Sequence, residues 1–592
     1  MVWGRKNFTD PLNDKLHLKP MFNKYLKSLR TLLATMFFLM TVGIFTDVYH
    51  LLSREAVDSV LYVQFVPSMI RFTTACTLAS AGFILVSVLT LLFGRVYCST
   101  VCPLGILMDL VIGIKNRIRK FRKIPLKKSP LVQYYADHKS ISMGFSPKHN
   151  VKISSLIKYF ILFLFILAII FKSNLLIGLL DPFSLSGKII VNLFRPIFLM
   201  GSNELLVTGY PPGTPLVMKP AAISMESLSL VVFLLVVLLI MIFLSWFKDR
   251  WYCNVICPVG TLLGVISKFS IFRLRVNFSG CTHCGACVQV CKAGCIHPDT
   301  YHIEMDRCVV CYDCIDVCTE GGAEVKKMDP GLVISGLKIN VRQERNSNGS
   351  QMSSGSGSII NKECEQVPGS RLSHTEAGSG ELSRRRFIGT FLMGFSGMLY
   401  THHSLSGNPG TTNNLTGEEA KKTLWDVPVT PPGSQGITRF TERCTSCHLC
   451  VSACPSGVLK PAFLEYGLQG IFQPRMDFHS GYCFSDCIRC SEICPTDAIH
   501  LMDLNIKKRL KIGSSVFIRN LCLVQTERRI CGLCSNVCGE KAIRLVPWLG
   551  NLVIPEIDDL KCNGCGACEL VCPVRPHRAI VVDALTEHQL LQ

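Results

Sequence analysis

The chain has 592 residues with a formal net charge of +20, and 31 of the residues are cysteine. The cysteines recur in a regular CxxCxxCxxxC spacing, which excludes the irregular disulfide framework of a small secreted protein and indicates metal binding. The positive charge does not indicate a nucleic-acid partner, because the lysines and arginines flank apolar segments, where orientation in a membrane accounts for them.

Four apolar segments before residue 250 are long enough to cross a bilayer as helices. They are Thr31–Val48, Phe72–Phe93, Tyr159–Leu180 and Ser227–Phe247. The connection from Arg95 to Lys158 is strongly basic, so the positive-inside rule places it, the N-terminus and the residues after Phe247 on the cytoplasmic side. The sequence therefore predicts an α-helical membrane domain, residues 1–275, in a bacterial inner membrane.

An internal repeat lies within this membrane domain. Residues Arg95–Leu107 parallel residues Arg250–Leu262, and each copy follows an apolar segment and contains a CxxxCP motif. The cysteines of the two motifs are Cys98, Cys102, Cys253 and Cys257. They could meet across the repeat and hold a further cluster or metal. They could equally be free thiols, a redox-active disulfide pair or turns that end helices.

Two tandem cysteine runs follow the membrane domain, in residues 276–330. A bacterial-type two-cluster ferredoxin takes three ligands of each cluster from one run and the fourth from the other. The predicted quartets are Cys281, Cys284, Cys287 and Cys318 for one cluster, and Cys308, Cys311, Cys314 and Cys291 for the second. Cys295 is left over. Because this module directly follows the last apolar segment, we expect it on the cytoplasmic side.

The segments between the two cysteine-rich regions are not predicted to form a core. Residues 331–382, rich in Ser and Gly, and residues 403–435, rich in Thr, Gly and Pro, predict flexible linkers. Between them, residues 383–402 begin with SRRRFI at Ser383–Ile388 and continue as a short apolar run. This pattern predicts an internal twin-arginine signal or anchor helix that directs the C-terminal domain to the periplasm. The alternative is a chance basic patch before a buried helix.

The C-terminal domain, residues 436–585, contains four more cysteine runs. Exchange of the fourth cysteine within pairs of runs predicts four further quartets. These are Cys444/Cys447/Cys450/Cys494, Cys483/Cys487/Cys490/Cys454, Cys522/Cys531/Cys534/Cys572 and Cys562/Cys565/Cys568/Cys538. In so short a domain, the four clusters and their ligand bonds must supply much of the stability of the fold. The metal-free domain is therefore not expected to fold.

The six quartets together predict six [4Fe–4S] clusters in α+β ferredoxin modules. Four thiolates also suit tetrahedral zinc, which is the alternative interpretation of any single run. Six consecutive quartets with ferredoxin spacing favour iron–sulfur clusters over zinc. The sequence shows no dinucleotide-binding glycine motif and no phosphate-binding loop, so electron transfer is the predicted chemistry.

Ionisable residues near the ends of the apolar segments are candidates for a quinol site. They are Asp47, His50, Asp181 and Arg195. Oxidation of a quinol needs proton acceptors beside a pocket that lipids can reach, and ionisable residues within a membrane are functional candidates. Solvated or snorkelling side chains are the alternative, because all four residues lie near predicted helix ends.

These motifs resemble those of two known families. Residues 1–320, with four apolar segments, two CxxxCP motifs and a trailing two-cluster ferredoxin, look like the NapH family of quinol-dehydrogenase membrane components. Residues 380–580, with the twin-arginine segment, Pro431-Pro432-Gly433 and four uneven cysteine runs, look like the NapG/MauM ferredoxins. The resemblance implies that the quinol pool donates electrons, which pass to a periplasmic reductase or cytochrome. An iron–sulfur maturation or redox-sensing factor for a periplasmic metalloenzyme is the alternative function.

Overall fold

The computed structural model describes residues 18–47, 52–75, 80–121, 148–209, 228–327 and 427–591. All of these residues belong to one unit, formed by Met1–Ser335 and Gly417–Gln592. The predicted linker at 331–382, the predicted signal at 383–402, most of the second linker and His50 lie outside the described residues.

The apolar part of the chain is helical. Its α-helices are Leu18–Thr46, Arg54–Tyr62, Phe65–Ala75, Gly82–Phe93, Tyr97–Thr100, Pro103–Phe121, Lys148–Ile170, Asn174–Leu180, Pro182–Ile189, Arg195–Gly209, Leu228–Lys248, Trp251–Val255 and Pro258–Ser267, and a π-helical turn covers Ile190–Phe194. Three helical segments, Tyr25–Thr46, Pro182–Glu204 and Leu228–Lys248, are long and apolar enough to cross a membrane by length and composition. We call Leu18–Thr46 the N-terminal helix and Pro182–Ile189 the junction helix.

Two of the four predicted spans are not continuous helices. Within the predicted span 72–93, one helix ends at Ala75 and the next begins at Gly82, where an added Cβ would lie 1.7 Å from the carbonyl oxygen of Tyr62. The predicted span 159–180 is broken after Ile170, near Lys172, whose φ is 52°. Mean hydropathy averages over such breaks, because a left-handed residue or a close helix contact does not change the composition of the segment.

A further apolar segment, Pro182–Glu204, lies where the sequence predicts only a connection between spans. Its most apolar part is 61% buried within the protein, compared with 28% and 22% for the other two long segments. It carries the polar residues Lys188, Asn192 and Arg195, which lower its hydropathy. In the structure the Lys188 ammonium donates a hydrogen bond to the Gly178 carbonyl oxygen at 2.8 Å. The sequence prediction missed this segment because its polar side chains are satisfied by protein groups.

The first cysteine-rich region forms a small α+β module, as predicted. The strand Phe272–Val276 pairs antiparallel with Ala323–Lys327, so the two ends of the module meet. Between the strands lie a 3₁₀ turn at Phe278–Gly280 and the short helices Ala286–Val290 and Asp313–Val317. We call Phe272–Lys327 the first module.

The second cysteine-rich region, residues 427–591, repeats this construction and is called the C-terminal module. Its helices are Ile437–Arg443, Leu449–Ala453, Arg489–Glu492, Leu504–Lys508, Leu523–Thr526, Leu533–Val537 and Ala567–Val571, with a 3₁₀ turn at Arg519–Leu521. Its antiparallel strand pairs are Leu459–Pro461 with Pro474–Met476, Leu510–Phe517 with Ile580–Leu590, and Ile543–Leu549 with Leu552–Ile557. The pair Leu510–Phe517 with Ile580–Leu590 joins distant parts of the module, whereas the other two pairs join segments that are close in sequence.

The two modules contact opposite ends of the N-terminal helix. Near its start, the Lys27 ammonium lies 3.1 Å from an Asp313 carboxylate oxygen and 2.8 Å from one of Asp316, both in the first module. Near its end, the Phe45 ring packs against Phe183 with ring centroids 5.5 Å apart, in a buried cluster that includes cysteines of the C-terminal module. The N-terminal helix therefore runs from one module to the other.

Candidate iron–sulfur centres

The structure brings the fourth cysteine of one run next to the triad of its partner run. One cavity, with about 340 Å³ of unfilled space, is lined by Cys454 together with Cys483, Cys487 and Cys490. Another, with about 350 Å³, is lined by Cys572 together with Cys522, Cys531 and Cys534. Both sets are quartets predicted from the exchange of fourth cysteines.

In the other quartets, the pKa shifts of the thiols show which cysteines lie close to one another. Burial is the main cause that raises each thiol pKa, and the thiolates of the same quartet add to it. The affected thiols are Cys287, near Cys281, Cys284 and Cys318; Cys314, near Cys308, Cys311, Cys291 and Cys287; Cys450, near Cys444, Cys447, Cys494 and Cys490; and Cys565, near Cys483, Cys538 and Cys562. These thiols thus lie near predicted partners and also near cysteines of the adjacent quartet, and the assignment of the quartets as cluster ligands stays a prediction.

Four of the runs share an unusual loop backbone. The residues on both sides of the middle cysteine have positive φ, at His283 and Gly285, Val310 and Tyr312, Ser446 and His448, and Gly564 and Gly566. A left-handed backbone at non-glycine residues costs on the order of 1–3 kcal/mol each. Such turns point successive N–H groups into one concavity that suits an anion. The loop geometry therefore fits a thiolate-ligated iron–sulfur cluster, which carries negative charge.

Main-chain N–H groups also donate to the sulfurs of four of the fourth cysteines. The acceptors are Cys291 (from Cys295, 3.5 Å), Cys494 (from Ile499, 3.4 Å), Cys538 (from Ala542, 3.3 Å) and Cys572 (from Ala579, 3.4 Å). Hydrogen bonds to ligand sulfur are one of the means by which proteins set cluster potentials. Within the described residues, no three His, Cys, Asp or Glu side chains converge as tightly as a single metal ion requires.

Cys295, left over in the sequence prediction, lies beside the second quartet of the first module. Its sulfur is 3.5 Å from the sulfur of Cys291. A hydrogen bond from Cys295 is the main cause that lowers the pKa of Cys291 to about 6. Cys295 is therefore a neighbour of the proposed ligands, and its spacing outside the CxxCxxCxxxC pattern gave no signal of this contact.

Lys507 is a residue at these centres that the sequence interpretation missed. Its buried ammonium donates to the sulfur of Cys483 at 3.2 Å and to the Phe484 carbonyl oxygen at 3.3 Å. Burial opposes the charged form, but the charge and hydrogen bond of Cys483, together with the charges of Cys490 and Cys487, outweigh burial and raise the pKa of Lys507. A cation bonded to a ligand sulfur stabilises the more negative, reduced state of the centre that this quartet holds.

Replacing Lys507 by methionine is expected to lower the midpoint potential of that centre. The shift should be on the order of 50 mV, because a hydrogen bond to a charged group contributes about 1.5–3 kcal/mol and only part of it differs between redox states. A redox titration followed by EPR measures the shift. The matched control is Lys508→Met, since Lys508 is the exposed neighbour. Equal potentials for both variants would contradict this role of Lys507.

The four CxxxCP cysteines meet in one buried place. Cys98, Cys102, Cys253 and Cys257 are each 5–6% exposed and line one cavity with about 280 Å³ of unfilled space. Tyr97, Tyr252 and Pro182 also line it. The structure brings the four thiols together, and it also places Cys102 and Cys257 at the turns before the helices that begin at Pro103 and Pro258. We call this place the four-cysteine cavity.

The loop that carries Cys444 and Cys447 packs into the apolar helices. A Cβ added at Gly187 of the junction helix would lie 2.5 Å from the Cys447 carbonyl oxygen. The Asn192 amide nitrogen lies 2.8 Å from Nδ1 of the buried His448, whose Nε2 lies 2.8 Å from the Phe472 carbonyl oxygen. Burial, with the nearby Lys188 charge, lowers the pKa of His448 to about 3, so its ring is neutral and its Nε2–H donates to Phe472. This network fixes the loop against the helices.

The candidate quinol residues do not converge in the structure. The Asp181 carboxylate caps the junction helix by accepting from the Ser184 N–H at 2.9 Å and the Ser184 hydroxyl at 2.6 Å. Arg195 donates to the Ser452 carbonyl oxygen at 2.9 Å, and it lies about 21 Å further along the helical segment at 1.5 Å per residue. Asp47 accepts from the Leu52 N–H at 3.0 Å. Their part in quinol oxidation stays a prediction.

Three family models for iron–sulfur domains match segments of the chain. A 4Fe-4S dicluster domain matches residues 443–498 and 529–575. A 4Fe-4S binding domain matches residues 274–297 in the first module. A second model with the description 4Fe-4S binding domain matches residues 77–123 and 230–278, which contain the two CxxxCP motifs. The matches confirm the prediction of ferredoxin domains.

Several curated proteins are similar to parts of the chain. The ferredoxin-type protein NapF of Escherichia coli K12 is 29% identical over 161 residues, which are 27% of this chain and 87% of NapF. The methylamine utilization ferredoxin-type protein MauM of Paracoccus denitrificans is 32% identical over 163 residues, 26% of this chain and 70% of MauM. An uncharacterized protein of Methanocaldococcus jannaschii is 24% identical over 238 residues, 40% of this chain and 67% of that protein. No solved structure matches.

Proposed function

The chain belongs to the family of MauM ferredoxin-type proteins and is an iron–sulfur electron-transfer protein, and from this premise we propose that it is anchored in a bacterial inner membrane, oxidises quinol there and passes the electrons to a periplasmic reductase or cytochrome. Several [4Fe–4S] binding domains are present. The NapH-like character of its membrane part belongs to this proposal.

The observation that carries the proposal is the contact of the two modules with opposite ends of the N-terminal helix. Lys27, which contacts the first module, and Phe45, which packs beside the C-terminal module, are about 27 Å apart along the helix at 1.5 Å per residue. This separation is close to the roughly 30 Å thickness of a bilayer core. The basic connection after Arg95 favours a cytoplasmic first module, and the twin-arginine pattern favours a periplasmic C-terminal module.

We propose that each of the six quartets holds one [4Fe–4S] cluster. Such a cluster accepts and releases one electron without a change of ligands, which is the chemistry that it would supply here. The chain contributes four thiolates per cluster, inward N–H groups from the left-handed loops and, at Cys483, the Lys507 ammonium. Burial of the sulfurs limits access of water to the centres and thereby helps to set their potentials.

Quinol titration of the purified protein tests the proposal. The full chain is purified anaerobically in detergent, its iron and sulfide are counted, and a reduced menaquinol analogue is added while EPR is recorded. We expect iron and sulfide for at least six [4Fe–4S] clusters, and cluster signals that appear on addition of quinol. A quinone product in step with cluster reduction confirms the donor, because each quinol gives two electrons and each cluster takes one.

Two results would overturn the proposal in different ways. A full iron content with clusters that quinol leaves oxidised would favour a maturation or redox-sensing factor for a periplasmic metalloenzyme. Zinc in place of iron would remove electron transfer altogether, because zinc has no redox chemistry. The control is the Cys454→Ser variant, which removes one thiolate from the quartet with Cys483 and should lose the iron of that centre only.

A further inference from the structure

The four-cysteine cavity is built by two equivalent halves of the internal repeat. Each half contributes two thiols, and Tyr97, Tyr252 and Pro182 line the cavity beside them. All four of its cysteines are buried. The donor set, four buried thiols facing one space, therefore fits an iron–sulfur centre.

Two buried arginines cross between the halves at this cavity. Arg95, which is 1% exposed, donates to the Cys253 carbonyl oxygen at 2.9 Å, and its terminal nitrogen lies 3.8 Å from the Cys98 sulfur. Arg250, which is 0% exposed, donates to the Cys98 carbonyl oxygen at 2.8 Å, and its terminal nitrogen lies 4.0 Å from the Cys253 sulfur. Each arginine therefore binds the backbone of the opposite half and approaches a sulfur of its own half.

The charges at the cavity call for an anion. The carboxylate of Asp109 lies 2.7 Å from the Arg250 guanidinium and balances it. In the described part of the chain, the Arg95 guanidinium donates to the Asn254 side-chain oxygen at 2.7 Å and to main-chain carbonyl oxygens. One of these is the carbonyl oxygen of Asp306, at 3.0 Å. A buried guanidinium is costly without a negative partner. Four thiolates around an iron–sulfur core carry net negative charge and would balance Arg95.

Residues next to the cavity also contact the turn that follows the first cysteine run of the first module. The Arg250 N–H donates to the Lys292 carbonyl oxygen at 3.2 Å, and the Asn254 amide donates to the Ala293 carbonyl oxygen at 3.3 Å. Both acceptors directly follow Cys291, which belongs to the quartet with Cys308. This side of the cavity is therefore joined to the first module through main-chain contacts.

On its other side, the cavity is joined to the C-terminal module by the junction helix. Pro182 lines the cavity and begins this helix. Gly187, about 7.5 Å further along the helix at 1.5 Å per residue, packs on the Cys447 carbonyl oxygen. The cavity thus lies between the Cys308 quartet and the Cys444 quartet, and one turn and a half of helix separates it from the latter.

We infer that Cys98, Cys102, Cys253 and Cys257 hold an anionic iron–sulfur centre that joins the two modules into one electron path across the membrane, with Arg95 and Arg250 as its positioning residues. The inference rests on the proposed clusters of both modules. In each transfer step one electron passes from a cluster of one module through this centre to a cluster of the other module, and no atom is transferred.

A two-sided liposome assay with the full chain tests the path. Ferricyanide is trapped inside the liposomes, and the impermeant one-electron reductant titanium(III) citrate is added outside. We expect the wild-type protein to reduce the trapped ferricyanide and the Cys98→Ser/Cys253→Ser variant to fall to the background of protein-free liposomes. The variant should lose the iron and sulfide of one centre and keep the EPR signals of the other clusters. Unchanged iron and unchanged transfer in this variant would overturn the inference.

Arginine variants give a second readout that does not depend on transfer. Arg95→Gln should shift the potential of one centre to more negative values or release its iron, whereas Arg95→Lys, which keeps the charge, should retain iron and a potential nearer that of the wild type. Equal behaviour of the two would contradict the role of Arg95. Quinol titration of the same samples separates the proposals, because clusters that quinol leaves oxidised contradict quinol oxidation even where transfer across the liposome persists.

Discussion

Replacing Gly187 by alanine is expected to loosen the C-terminal module from the apolar helices. The added Cβ would lie 2.5 Å from the Cys447 carbonyl oxygen and 2.6 Å from the Phe45 ring, so the loop or the N-terminal helix must move. Overpacking of this kind costs about 1–3 kcal/mol. Hydrogen exchange of the amides in residues 444–454 measures the effect, and protection should fall by about tenfold for each 1.4 kcal/mol lost.

The matched control is Gly201→Ala, in the helix that continues from the same segment. A Cβ added at Gly201 has no neighbour within 4 Å, so this change should leave the loop unaffected. Alanine has a higher helix propensity than glycine by about 1 kcal/mol, which acts equally in both variants. Equal protection of residues 444–454 in the two variants would show that the contact between Gly187 and Cys447 does not hold the loop.

Replacing Asp109 by asparagine is expected to destabilise the whole assembly around the first module. The Asp109 carboxylate lies 2.7 Å from Arg250, 3.0 Å from Arg30 and 3.6 Å from Lys292, so it joins helices of the apolar part to the first module. Loss of one partner leaves a buried charge unbalanced, which costs about 3–5 kcal/mol. Thermal unfolding in detergent, followed together with iron release, measures the loss.

An exposed ion pair supplies the control for Asp109. Asp58 lies 3.8 Å from Arg54 with both side chains more than half exposed, so Asp58→Asn should cost less than about 1 kcal/mol. A similar loss for both variants would contradict the structural role of Asp109.

The effect of Asp109→Asn should also depend on pH. Burial opposes ionisation of Asp109, but the charges of Arg250, Lys292 and Arg30 outweigh it and lower its pKa below 3.8. A carboxyl whose pKa is lower in the folded state contributes its full stabilisation above the unfolded pKa and loses it as the pH falls through the folded pKa. The difference in stability between wild type and Asp109→Asn should therefore be constant near neutral pH and shrink in strongly acidic solution.

The cysteine groupings could be predicted from the sequence because their spacing follows a known rule. Three ligands of each cluster lie within one run, and the fourth comes from the partner run. The structure places Cys454 beside Cys483 and Cys572 beside Cys522, as the exchange of fourth cysteines predicts. The lengthened gap after Cys522 does not disturb this, because the helix Leu523–Thr526 takes up the additional residues.

The course of the apolar segments could not be read from composition. Hydropathy missed Pro182–Glu204, because Lys188, Asn192 and Arg195 count as polar although their partners are the Gly178, His448 and Ser452 groups of the folded protein. It also joined helices that are separate in the structure. Partners distant in sequence decide these features, and a window along the chain contains none of them.

The sequence by itself determined that the chain has ferredoxin-type modules with apolar helices before them, and it predicted which cysteines group together. Only the tertiary structure decided that the four CxxxCP cysteines share one cavity, that Arg95 and Arg250 cross between the repeats and that Lys507 reaches Cys483. The physical reason is the distance along the sequence between the residues that decide each feature. Three ligands of each predicted cluster lie within one short run of the sequence, whereas a buried cation is placed by packing between segments as far apart as the 211 residues between Arg95 and Asp306.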